Sequence, residues 1–376
     1  MKRTLTLLLL WIHFGAFAQV DTVRFYSDAF GTDREVYVHL PDFYAFQAPD
    51  FPNPFIYLLD GQHEWFANPV QNDIRYLQYT HDIPLAITVM IPHEDRNAEC
   101  AVQEVGHPQA LHVFITEELP RVLQKYSPSK NRILIGHSFS ASFALYSFGL
   151  NPDFYAAVFA HSPLDELGSS LKSIPHERYA DVYLSIGSTI RTKDGWHRQR
   201  FDSIVAPYRD QITHIYTLPS AGHTSLPILA NARMLSEYYL PFSLRTDEIA
   251  AVDLNYQLVE APMIVPDEME KIGKAERLFN RHYPLQVNEI NGIASRYYAS
   301  NYFEHAEQLM KYGIRWFPNY YEFHLFLAEL IQYTEPISAI EHGERALELY
   351  DRYEKESEDY LEYRKEIVMF LDSIEP

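Results

Sequence analysis

The stretch Asn131-Arg-Ile-Leu-Ile-Gly-His-Ser-Phe-Ser-Ala-Ser-Phe-Ala-Leu145 decides how this chain is read. Ile133, Leu134 and Ile135 form an apolar run of the length a buried strand has. Ala141, Ala144, Leu145 and Phe148 fall at i, i+3, i+4 and i+7, which is one face of a helix. Gly136-His-Ser-Phe-Ser140 lies between them. A strand, a five-residue turn and a helix are the setting of a nucleophile elbow, the G-x-S-x-G turn that lifts one serine out of a sheet. The residues two before and two after that serine must be small, because the strand and helix backbones crowd there. Gly136 meets the demand, and Ser140 meets it with a serine where the common pattern has glycine.

Outward from the elbow, other apolar runs end in turns. Phe55-Ile-Tyr-Leu-Leu59 runs into Asp60-Gly-Gln62, and Leu85-Ala-Ile-Thr-Val-Met-Ile91 into Pro92. Ala156–Ala160 ends at His161-Ser-Pro163, Val182–Ile186 at Gly187, and Thr213–Leu218 at Pro219. Helical patterns separate them, among them Leu111–Tyr126 and a closing helix over Met234–Phe242. Val23–Tyr26 and Arg34–Leu40 alternate as half-exposed strands do, suggesting an antiparallel edge. The expectation is an α/β fold with a mostly parallel sheet covered by helices on both faces. Ligands of such sheets bind beyond the carboxyl ends of the strands. Asp60–Gln62, Ser138, the stretch after Gly187 and the stretch after Leu218 all converge there.

A serine hydroxyl needs a general base, and the base needs an orienting acid. In this fold they follow in the order Ser, Asp/Glu, His. His223, in Ser220-Ala-Gly-His-Thr-Ser225 after the last strand, is the base expected, with Gly222 allowing the tight turn. The acid belongs after Gly187. Asp194, in Arg191-Thr-Lys-Asp-Gly195, is the first carboxylate after it, with Asp202 and Asp165 as alternatives. An oxyanion needs two backbone N–H donors, expected from Phe139 and from Gln62. His137 is expected to pack beside the serine.

Phe55–Gln62, Gly136-His-Ser-Phe139, His161-Ser-Pro163 and Gly222-His-Thr-Ser-Leu-Pro227 together resemble the esterase family that includes esterase D and the enterochelin (ferric-siderophore) esterases. The resemblance covers residues 21–242. It implies an α/β-hydrolase fold, Ser138 as nucleophile, His223 as base and an oxyanion contribution from the Asp-Gly-Gln loop. Arg96 resembles an arginine the family keeps after its fourth strand, and Arg96 and His137 are expected to bind substrate. No metal or organic cofactor is expected. Hydrolysis of a small-molecule or glycan ester through an acyl-enzyme is the activity implied. Acyl transfer at the same serine is one alternative, and an idle domain whose arm binds a partner is another. Arg191, Lys193, Arg198 and Arg200 form a basic cluster near the expected site that would suit an anionic ester.

The rest of the chain sets bounds. Lys2-Arg3, an apolar run from Leu5 to Phe14 and Ala16-Phe-Ala18 read as a signal peptide over residues 1–18, cut after Ala18. The protein is therefore expected outside the cytoplasm, periplasmic or extracellular, with no membrane span after cleavage. A formal net charge of −20 argues against a nucleic-acid partner. The single cysteine, Cys100, excludes an internal disulfide. The catalytic domain is expected over 19–242, a linker over 243–267 and an acidic helical arm over 268–376. Residues 251–376 hold 24 acidic and 12 basic residues. Gly292, Tyr297, Ala306, Gly313 and Pro318 sit near the marker positions of a 34-residue tetratricopeptide-like repeat, with a looser copy at Leu327, Ala328, Ala339, Gly343 and Ala346. A protein partner, if the chain takes one, is expected on this arm.

Overall fold

The computed structural model describes residues 19–102, 109–164, 167–187, 195–357 and 359–375. The expected signal peptide, Asp165, Ile190, Arg191, Lys193 and Asp194 lie outside them.

Eight strands form one sheet: β1 (Val20–Ser27), β2 (Thr32–His39), β3 (Asn53–Leu59), β4 (Ile87–Ile91), β5 (Pro128–His137), β6 (Ala157–His161), β7 (Val182–Gly187) and β8 (His214–Leu218). Their spatial order is β1-β2-β4-β3-β5-β6-β7-β8. β1 and β2 are the antiparallel edge, and every pairing from β4 through β8 is parallel.

The apolar runs are continuous because both faces of the sheet are buried. Phe55, Tyr57 and Leu59 point to one side, while Ile56 and Leu58 point to the other. Helices α1 (Glu64–Tyr79) and α4 (Leu226–Tyr238) cover the second side. Helices α2 (Phe139–Leu150) and α3 (Gly195–Val205) cover the first, together with an irregular helical stretch over 110–126 that includes one π-helical turn. α4 begins at Leu226, not at Met234 as the periodicity suggested, because Pro227 sits in its first turn, where the missing N–H costs nothing.

The arm consists of α5 (Val265–Ala275), a small hairpin, then α6 (Val287–Ala299), α7 (Phe303–Trp316), α8 (Tyr321–Ile331), α9 (Pro336–Tyr353) and α10 (Tyr360–Asp372). The pairs α6–α7 and α8–α9 pack side by side. The stretch read as a linker is turn-rich, yet Ile249 within it is buried in the arm's core. The catalytic domain enters the same core through Phe46 and Phe51. Phe46 packs against Tyr320 and Tyr353, and Phe51 against Trp316 and Phe317. Arg245, buried, donates to Glu289 and to the Tyr283 carbonyl. Arg281 reaches the Lys130 carbonyl near the start of β5. The arm therefore sits at the amino ends of the strands, opposite the loops that converge at their carboxyl ends. Among the described residues no helix is long and apolar enough to cross a membrane.

Candidate active site

β5 delivers Ser138 through a sharp turn in which Gly136 leaves no room for a side chain. Ser138 has φ 62° and ψ −118°, a conformation that costs about 1–3 kcal/mol for a residue with a side chain and clusters at functional sites. A Cβ at Gly136 would collide with the Ser140 carbonyl. The strain is held by hydrogen bonds around the turn. Ser138 N–H donates to the His161 carbonyl at 2.8 Å, and the amides of Ala141 and Ser142 donate back to the Ser138 carbonyl.

Beneath the turn, Asp60 anchors a second set of bonds. It directly follows β3, is fully buried and itself has φ 61°. Arg96 grips it with Nε at 2.5 Å and Nη2 at 3.0 Å, and the same Nη2 donates to the His137 carbonyl at 2.8 Å. Ser140 Oγ donates to Asp60 at 2.6 Å and accepts from the His137 amide at 2.9 Å. This accounts for serine in place of the usual glycine: its hydroxyl ties the elbow to Asp60. Burial works to raise the Asp60 pKa, but the Arg96 guanidinium, His93 and the Ser140 hydroxyl outweigh it and hold the carboxyl below its usual range. Arg96, expected to bind substrate, has two of its three guanidinium nitrogens committed to this framework. The structure places it as a support of the elbow.

Gln62 is fixed by its own side chain, whose Oε1 accepts from the His93 amide at 2.9 Å. Phe139 is the first residue of α2, where an N–H has no intrahelical acceptor. Among the described residues, neither the Gln62 nor the Phe139 amide donates to a backbone carbonyl.

His223 sits on the loop after β8. That loop is admitted by Gly187 at the end of β7, where any Cβ would collide with the Ala221 carbonyl. The imidazole ring of His223 lies 4.7 Å from that of His137 and 5.1 Å from that of His197, centroid to centroid. His137 Nε2 donates to the His223 backbone carbonyl at 2.8 Å. Burial first, and the neighbouring His223 second, push the His137 pKa down to about 4, so its ring is neutral at ordinary pH. His137 is 3% exposed, and its Nε2 is engaged by the loop that carries His223. The expected substrate contact thus gives way to a packing and anchoring position.

The sequence reading missed His197. It lies in the first turn of α3, is 5% exposed, and donates from Nε2 to the Pro163 carbonyl at 2.8 Å. No periodicity marks it; its place after the seventh strand was the available signal. Asp202, an alternative acid, is occupied by Arg198 and Arg209, both at 2.6 Å. That pairing also removes Arg198 from the basic cluster expected to attract an anion. Two indoles stand at the rim. Trp65 is 46% exposed, stacked on His63 and edge-on to His137, and Trp196 is 58% exposed.

Comparison with known proteins agrees with this architecture. The model of the family described as "Putative esterase" matches residues 27–207. An uncharacterised protein from Capnocytophaga ochracea is similar in structure, with a TM-score of 0.52 at 15% identity, over 89% of this chain and 93% of that one. An IroE-like serine hydrolase from Shewanella oneidensis gives a TM-score of 0.57 at 16% identity, over 78% of this chain and 98% of that one. At such identities the likeness shows the fold alone. The first similarity reaches beyond the α/β domain, so the arm is part of it. No curated protein matches the chain. The family match over residues 27–207 and the α/β-hydrolase architecture agree in showing that the chain is an esterase.

Proposed function

We propose that the protein is an exported serine esterase that works through an acyl-enzyme. The observation that carries this reading is the joining of the strained Ser138 turn to the His223 loop by His137. Ser138 Oγ attacks the ester carbonyl while its proton passes to the His223 imidazole. The carbonyl oxygen becomes an oxyanion held by the Gln62 and Phe139 amides, an interaction whose donors are each worth about 10²–10³ in rate. Collapse expels the alcohol, which takes the proton from His223. Water repeats the sequence on the acyl-enzyme and releases the acid. Asp194 is assigned as the acid that orients His223.

The substrate we assign carries a flat ring, as an aryl siderophore-type ester does. Trp65 supports this. It follows the oxyanion loop by three residues, is held face and edge by His63 and His137, and still offers nearly half its surface. An aromatic pair is worth about 0.5–1.5 kcal/mol beyond area burial, roughly two- to tenfold in binding. Trp65→Ala should therefore raise KM several-fold for aryl-acyl esters and leave simple acetyl esters nearly unchanged. Equal effects on both would sink the ring assignment, and acetylated or feruloylated sugars assayed alongside would point to a carbohydrate ester instead. Export rests on the amino-terminal sequence alone. Mass analysis of the protein from its native host should find Gln19 first, and an intact Met1 in the mature fraction would rule export out.

A further inference from the structure

β8 is the edge strand, three places from β5 in the sheet. At about 4.8 Å per strand, the loop carrying His223 must reach back roughly 14 Å to serve Ser138. An orienting acid fixes only the far nitrogen of the imidazole. It does not hold the loop.

We infer that His137 and His197 brace His223 from two sides and act as positioning residues for the general base. Four loops are tied together by these two side chains. His137 belongs to the elbow after β5, and its Nε2–H fastens the His223 carbonyl at 2.8 Å. His197 belongs to α3, after β7, and its Nε2–H is fastened to Pro163, after β6, at 2.8 Å. The two rings lie against the His223 ring at 4.7 and 5.1 Å, inclined by 49° and 56°. A carbonyl oxygen only accepts, so both Nε2 atoms must carry hydrogen, and both tautomers are fixed. His137 is backed in turn by Phe66 and Trp65, which stops the ring from swinging away. The low pKa of His137 keeps it from placing a second positive charge beside His223 when the latter takes the serine proton. Each His thus combines a ring that limits the tilt of the base with a hydrogen bond that fixes where the ring stands. Core packing alone would use the ring and not the donor.

The inference rests on His223 being the base, and the test separates the two. His137→Phe and His197→Phe keep a ring and lose the donor; His137→Gln and His197→Gln keep an N–H at similar reach. Misplacement of a catalytic group by about 1 Å can cost roughly 10²-fold. Each Phe variant should therefore lose up to about 10²-fold in kcat on a simple aryl ester, with KM little changed, and should react correspondingly slowly with a fluorophosphonate. Each Gln variant should recover most of the loss. Melting curves check that the variants are folded; if a Phe variant is not, the Gln variant's near-normal kcat is the deciding value. Phe variants with wild-type kcat would overturn the brace, and so would Gln variants as impaired as the Phe ones. A wild-type protein that hydrolyses no ester and takes no label at Ser138 would instead overturn the underlying assignment.

Discussion

Replacing Ser138 by alanine is expected to lower kcat for ester hydrolysis by about 10⁶, the loss found when a triad nucleophile is removed. The size follows from what goes and what stays. The hydroxyl is the atom that forms the acyl bond, so no acyl-enzyme can arise. The Gln62 and Phe139 amides, the Asp60–Arg96 framework and the His223 loop all remain, and they support a residual rate about 10³–10⁴ above water alone. Stability should hardly change. The backbone bonds of the elbow do not involve the hydroxyl, and alanine meets the same φ of 62° that serine does. Turnover within tenfold of wild type would place the nucleophile elsewhere.

Asp194→Asn is expected to cost about 10⁴ in kcat, the effect of losing the carboxylate that fixes the base's tautomer and stabilises the imidazolium. Two other carboxylates already have partners. Asp60 is locked to Arg96 and Ser140, and Asp202 to Arg198 and Arg209. Asp194 immediately precedes α3, and α3 sets His197 against His223 three residues later. Asp202→Asn and Asp165→Asn should each cost under about tenfold, because neither is assigned to the imidazole. An active Asp194→Asn enzyme beside an impaired Asp165→Asn one would move the acid to the loop after β6. Activity in all three would leave a Ser138–His223 dyad.

Much of the fold could be read from the sequence because burial on both faces of a parallel sheet writes itself as unbroken apolar runs. Phe55–Leu59, Ile133–Ile135 and Val182–Ile186 all became central strands. The elbow was legible because its geometry admits almost no other residue at Gly136. The place of His223 on the loop after β8 was legible from chain order and from the glycine before it. What escaped were relations between loops. Nothing local in Trp196-His197 says that this imidazole will meet a ring on another loop. Nothing in Asp95-Arg96 says that the guanidinium will turn inward to Asp60, nor does a serine at position 140 announce that its hydroxyl completes that grip. The stretch 243–267 looked like a tether because its prolines and missing period hid the few apolar residues, Ile249 among them, that lock it into the arm.

Peptide mapping of the protein after reaction with a fluorophosphonate tests the central claim most directly. A covalent adduct on Ser138 is predicted, absent from Ser138→Ala and formed far more slowly in His223→Ala. An adduct on another serine, or an active esterase that takes no label at all, would contradict it.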